Sequence, residues 1–353
     1  MSGELVIYGS YGYTGDLIAQ AAIDRGFDPV LSGRNRDKLE DQAIRLGCES
    51  EVIGLDDPQE LDFLLDDAAA VLHCAGPFES TYRPMVEACL RTETHYLDIT
   101  GEIEVFEGVR GYDGRAEDTG VILLPGVGFD VVPTDCIAAH LAERLPDAET
   151  LELAFHADVG VSPGTAKTVV GNLDSSGRVR RNGRLERVPL GHDSRTVDFG
   201  WDNGELHVAA IPWGDVSTAY DTTGIESVTV YQSMHPKSAR NLRLVGKLGP
   251  VLGLGPVQST LEWLVERNVT GPDAVERGTE ESYVWGEART GGGERAVTRL
   301  RCPHTYTTTV RTALAVAERV LHGEAPTGFQ TPAGAYGADL ILDVDGTERV
   351  DVT

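Results

Sequence analysis

From Glu4 to Leu124 the chain alternates between two hydrophobic patterns. Short apolar runs at Glu4–Tyr8, Pro29–Leu31, Glu51–Gly54, Ala69–Cys74, His95–Asp98 and Val121–Leu124 predict strands. They lack strict two-residue alternation, as strands buried on both faces do. Between them, apolar residues recur at three- and four-residue spacing, as with Leu17, Ile18, Ala21 and Ala22. That spacing predicts helices over Thr14–Arg25, Asp37–Leu46, Pro58–Leu65 and Tyr82–Arg91. Strands alternating with helices make a doubly wound parallel sheet of the Rossmann type, with ligands at its C-terminal edge.

The pattern then changes. Pro133–Leu145 reads as a helix. Extended segments follow at Leu151–His156, Val179–Val188, Val197–Phe199, Leu206–Ala210 and Ser227–Tyr231. The Asn182-Gly183 pair marks a hairpin within the second of these. Ser282–Thr290 and Arg295–Arg301 flank Gly291-Gly292-Gly293, and a helix runs from about Tyr306 to Leu321. The expected fold class is α/β, with a Rossmann domain over residues 1–130 and an α+β domain with a mixed sheet over 131–329. The segment 330–353 can fold back on the first. The uncharged run Leu248–Val257 is either a buried loop or an apolar lid. It leads into an amphipathic helix over Gln258–Arg267.

Composition narrows the class. No run approaches the ~18 apolar residues of a membrane span, so the expectation is a cytoplasmic protein with at most peripheral membrane contact. The net charge is −26, and only four of the 30 basic residues are lysine. The acids are dispersed, which suits solubility in concentrated salt and makes nucleic acid an unsuitable partner. The five cysteines are widely spaced, there is no Cys-x-x-Cys, and no metal site is expected.

The candidate chemistry begins at Ile7–Gly15, IYGSYGYTG. Gly9, Gly12 and Gly15 fall three apart, whereas a dinucleotide fingerprint normally sets its first two glycines two apart. The loop nevertheless joins a predicted strand to a predicted helix, the context a pyrophosphate site requires. Gly9 suits the tight turn, Gly12 the approach of the phosphates and Gly15 close helix packing. Ser10 and Thr14 offer hydroxyl donors, and Tyr13 lies between. The second strand ends in Gly33-Arg34-Asn35-Arg36, with no acid to bind a ribose 2′-hydroxyl. Arg34, assisted by Arg36 and Lys38, suits a 2′-phosphate, so the expected cofactor is NADP. Asp56 is placed to bond adenine. The small residues of Cys74-Ala75-Gly76-Pro77-Phe78 let the nicotinamide half cross the sheet edge.

Catalytic candidates are sparser. No lysine has a tyrosine four residues before it, which removes the Tyr-x-x-x-Lys dyad of short-chain reductases. Hydride transfer belongs to the cofactor, so the protein need supply only orientation and a proton donor. Asp98, Glu102, Asp130 and Asp135 fall at predicted strand ends, and Asp130 is the chosen candidate. Asp98 and Asp135 equally suit helix caps, and Asp130 a turn. His95 and Tyr96 read as core, while His304 and Tyr306 are candidates from the second domain.

The motifs GSYGYTG (9–15), SGR (32–34), HCAGPF (73–78), ACLRTETHYLDITGE (88–102) and PGVGFDVVPTD (125–135) resemble the saccharopine dehydrogenase-like oxidoreductases. ESYVWGEARTGGGE (281–294) and FQTPAGAYG (329–337) extend the resemblance to the branch containing trans-acting enoyl reductases. The resemblance implies a Rossmann domain, NADP(H), and a second domain that forms a homodimer interface. It implies an oxidoreductase acting on a C=C, C=N or C=O bond of a small or lipid-like molecule. An NADP-binding sensor or scaffold without catalysis is the alternative.

Overall fold

The computed structural model describes residues 2–157, 177–242 and 280–353. The segments 248–257 and 258–267 singled out above lie outside the described residues. The chain divides into two compact units: Met1–Asp130 with Thr308–Ala335, and Val131–Thr307 with Tyr336–Thr353.

The first unit is built on strands β1 (Ser2–Tyr8), β2 (Asp28–Gly33), β3 (Ser50–Val52), β4 (Ala70–His73), β5 (His95–Asp98) and β6 (Ile122–Leu124). Its helices are α1 (Tyr13–Asp24), α2 (Arg36–Leu46), α3 (Pro58–Leu65), α4 (Phe78–Thr92), α5 (Ile103–Arg110) and α6 (Asp113–Thr119). The strands lie in the order β3-β2-β1-β4-β5-β6, all parallel. Beyond β6 lies the two-residue strand Gly328–Phe329, paired with Ile122 and Leu123. The order reverses between β1 and β4, where Tyr8 sits opposite His73; a doubly wound sheet opens its ligand crevice at such a point. Ile7, Leu31, Leu72, Tyr96 and Leu97 are fully buried along the strands, and Ile18 seats α1 on them. Burying each such side chain contributes ~1.5–3 kcal/mol.

In the second unit, α7 (Val132–Arg144) covers one face of a mixed sheet. Its strands are β7 (Thr150–Ala157), β8 (Gly177–Arg181), β9 (Arg184–Val188), β10 (Ser194–Asp198), β11 (Glu205–Ala210), β12 (Ser227–Ser233), β13 (Glu281–Arg289) and β14 (Arg295–Pro303), with helix α8 over Asp215–Thr223. β7 and β12 run parallel, and the other pairings are antiparallel. A Cβ on Gly286 would lie 2.4 Å from Ile137 and 2.7 Å from Leu141, so α7 packs directly on the β13 backbone. The opposite face carries Ala154, Phe199, Tyr231, Trp285 and Val297. The Asn182-Gly183 hairpin forms as expected, with Arg181 opposite Arg184.

The final segment divides. Gln330 donates its N–H to Leu123 in the first unit (2.8 Å), whereas the strand Glu348–Asp351 pairs with β14 in the second. No helix among the described residues is long and apolar enough to cross a membrane.

Candidate functional site

The glycine loop leaves β1 at Tyr8 and enters α1 at Tyr13. Gly9 has φ +78°, and a Cβ there would lie 2.7 Å from that of Ala75. A Cβ on Gly15 would lie only 2.4 Å from the Gly9 carbonyl oxygen. Glycine at both positions therefore lets α1 start against the loop and the loop lie against the segment after β4. Gly12 is the α1 N-cap and offers no capping side chain. The helix thus presents its positive end without a resident side-chain acceptor. Thr14 is half-buried in the first turn.

Ser10 requires a correction. Its hydroxyl is fully buried and donates to Gln42 Oε1 (2.7 Å), while Gln42 Nε2 donates to the Ser10 carbonyl (2.8 Å) and to Asp16 Oδ1 (2.7 Å). Ser10 ties the loop to α2, and its hydroxyl is not offered to a phosphate.

Around the ends of β1–β3 the expected adenosine residues gather. Tyr8 donates to the Ile53 carbonyl (3.0 Å). Burial raises its phenol well above the usual range; Tyr11 and Asp56 add to the rise and Arg34 opposes it. All three therefore lie within electrostatic reach of Tyr8. The Tyr11 hydroxyl accepts the Asn35 N–H (3.1 Å), and the Asn35 side chain accepts the Lys38 N–H (3.0 Å), capping α2. Arg36 is drawn to Glu40 (3.1 Å), whereas Arg34 and Asp56 are exposed. Sequence reasoning did not assign Tyr11; its position between Gly9 and Gly12 was the available signal.

At the other half of the edge, Cys74 donates its N–H to the Tyr8 carbonyl (2.7 Å), continuing the strand pairing. Burial raises the Cys74 thiol far above its ordinary range. The Gly76-Pro77 peptide is cis. Thr81 donates to the carbonyl of Ala75 (2.7 Å) and faces His73 Nε2 (3.0 Å). These contacts hold the Cys74–Phe78 segment from below. Glu102 accepts the N–H of Phe78 (3.1 Å) and of Glu79 (2.8 Å). A carboxylate therefore already occupies the positive end of α4, unlike that of α1.

Asp98 is fully buried, and its carboxylate accepts Tyr96 OH (2.6 Å), Thr100 N–H (2.9 Å) and Gly126 N–H (2.8 Å). It joins the ends of β5 and β6 and caps no helix. Burial lifts it to about 6 despite those three bonds. Asp130 follows on the next loop. Thr309 accepts the Phe129 N–H (3.0 Å), and Thr312 donates to the Val127 carbonyl (2.8 Å). A Cβ on Gly101 would lie 3.0 Å from that of Asp130. Asp130 thus lies half-buried against the Asp98–Glu102 loop. Burial, and then the charge of Glu102, raises its carboxyl to about 7.

Other candidates have structural partners. Asp135 accepts Thr222 OH (2.6 Å) within α7 rather than capping it. His95 accepts the Ile122 N–H (3.2 Å). His304 and Tyr306, in the second unit, are buried and stacked 5.7 Å apart.

A reversing parallel sheet and an uncapped helix N-terminus at its switch point define a dinucleotide-binding Rossmann protein. More narrowly, residues 5–124 match the family model of the saccharopine dehydrogenase NADP binding domain. The saccharopine dehydrogenase-like oxidoreductase of Homo sapiens is 27% identical over 216 residues, covering 53% of this chain and 50% of that protein. The trans-acting enoyl reductase of Mycobacterium ulcerans is 31% identical over 159 residues, covering 43% of this chain and 38% of that one. The chain therefore spans about half the length, or less, of the curated relatives it matches. The apo saccharopine dehydrogenase (L-Glu forming) of Saccharomyces cerevisiae superposes with a TM-score of 0.64 over 99% of both chains, at 14% identity. That likeness is one of fold.

Proposed function

We propose that the chain is an NADPH-dependent reductase of a C=C, C=N or C=O bond in a small or lipid-like substrate, with Asp130 as proton donor. The observation that carries this reading is the packing of Asp130 against the Asp98–Glu102 loop at the sheet's C-terminal edge, where burial and then the charge of Glu102 raise its carboxyl to about 7. An acid poised near neutrality can protonate the atom left negative after hydride addition. Bound NADPH supplies the hydride. The N-terminus of α1, with Gly12, Tyr13 and Thr14, binds the pyrophosphate. Arg34 binds the 2′-phosphate and Asp56 faces adenine. The segment from Cys74 to Phe78 supports the nicotinamide. In this reading residues 1–130 serve the cofactor, and residues 131–329 serve the substrate and a homodimer interface. The protein works in the cytoplasm.

The test is NADPH consumption with an enoyl thioester, an imine and a ketone series. Turnover with one class is expected. Saturable NADPH binding with no turnover on any class would instead favour a sensor.

Two further outcomes follow. Arg34→Ala should weaken NADPH ~10–100-fold, the loss of a charge-assisted bond of ~1.5–3 kcal/mol, and leave NADH nearly unchanged. Competitive titration checks this, and equal losses would remove the 2′-phosphate role. The net charge of −26 should make the melting temperature climb steadily as potassium chloride rises toward about 1 M, as screening relieves self-repulsion. Melting at a constant temperature across the series would remove the salt adaptation.

A further inference from the structure

The second unit carries a cavity of about 470 Å³ lined by arginines from separate strands: Arg180 and Arg181 at the end of β8, Arg195 on β10 and Arg289 on β13. One acid, Glu152, also lines it. In a chain with 56 acids to 30 bases, this local balance is inverted. The arginines are held by the fold. Arg180 is 4% exposed, donates to the carbonyls of Val216 and Gly183 (both 2.9 Å), and lies 4.4 Å over the Tyr220 ring. Arg195 pairs with Glu152, which Tyr231 OH also holds (3.0 Å), and it lies 5.3 Å over Trp285. Arg181 pairs with Glu186 (3.3 Å) and Arg289 with Glu287 at the rim.

The rim is also ordered. Asn182 and Gly183 take the left-handed backbone of a tight hairpin turn (φ +46° and +74°). Gly183 donates to the Glu226 carbonyl (2.9 Å), which ties the turn to the start of β12. Thr229 and the amide of Asn182 add neutral donors to the lining.

We infer that this cavity binds a phosphate-bearing small molecule. Guanidinium forks match phosphate oxygens in bidentate geometry, and neutral donors can serve the remaining oxygens. The volume suits a metabolite rather than a lone ion, since small-molecule sites span about 300–1,000 Å³. Every residue lining the cavity belongs to the second unit.

The test titrates inorganic pyrophosphate into the full chain and into the double variant Arg181→Gln/Arg289→Gln, at matched chloride, by calorimetry. Arg181 is 52% exposed and pairs with the exposed Glu186, whereas Arg289 pairs with Glu287, which is 3% exposed; Arg181→Gln alone is therefore titrated as well and should melt with the wild type. Wild type should bind saturably, and each variant more weakly, the double variant ~10-fold or worse. Binding at the glycine loop contributes equally to all three proteins. Their differences therefore read the cavity whether or not NADPH binds. Equal affinities, or no saturable binding by wild type in the millimolar range, would overturn the inference. Citrate binding as tightly as pyrophosphate would overturn the assignment to phosphate.

Discussion

Asp130→Asn should lower the rate of substrate reduction by ~10²–10⁴-fold while leaving NADPH affinity within about twofold of wild type. Asparagine keeps the size of the side chain but cannot give up a carboxyl proton. The wild-type carboxyl is raised by burial first and by Glu102 second, to about 7. Reduction needs the protonated form. The wild-type rate should therefore be level on the acid side and fall about tenfold per pH unit above about 7. The residual rate of the variant should lose that limb.

Stability supplies a second readout. An unfolded aspartate titrates near ~3.9, below the folded value, so folding favours the protonated acid. That preference helps the fold at low pH and is lost as pH rises through about 7. Asparagine removes the dependence, so the variant should melt no lower than wild type at pH 8. Unchanged turnover, or a wild-type profile flat from pH 6 to 9, would remove Asp130 as donor. Glu102→Gln should shift the alkaline limb downward by removing the neighbouring charge, provided its bonds to Phe78 and Glu79 survive.

The second large effect is expected at Gly15. A methyl group there would stand 2.4 Å from the Gly9 carbonyl oxygen and 2.9 Å from that of Ser10. Both are backbone atoms, so no side chain can swing away, and α1 must withdraw from the loop. Gly15→Ala should cost ~1–3 kcal/mol of stability, as overpacking does, and should weaken NADPH at least ~10-fold by moving the helix N-terminus. Gly114→Ala is the control. It lies in α6 with nothing within 4 Å of the added carbon, so it should be neutral or slightly stabilising. Melting curves and NADPH titrations of the two variants check both statements. A Gly15→Ala protein with wild-type melting and binding would show that close packing of α1 on the loop is not needed.

The first unit was the more legible in sequence, for physical reasons. Its strands are continuous apolar runs such as Ala70–His73, every residue of which is buried, and its glycines punctuate them. The strand and helix on either side of Gly9, Gly12 and Gly15 were legible from their own apolar patterns, and that context identified the loop despite its unusual spacing. What failed was long-range. The Ser10 hydroxyl turns inward because Gln42, on α2, waits for it; no local pattern announces that partner. The Gly328–Phe329 strand is too short to show a period and exists only through its pairing with β6. Helix α6, DGRAEDT, contributes only Ala116 to the core, so it has no apolar stripe to read. Glu102 was visible as an acid at a strand end. Its two roles, capping α4 and repelling charge on Asp130, depend on the adjacency of three loops.

The account rests on a dinucleotide held at the uncapped end of α1. The most direct measurement is a fluorescence titration of NADPH into the full chain in concentrated potassium chloride, run beside NADH. The account predicts a saturable change in nicotinamide emission and an affinity at least ~10-fold tighter for NADPH than for NADH, the weight of the Arg34–phosphate contact. No emission change, with direct calorimetry equally silent, would contradict it.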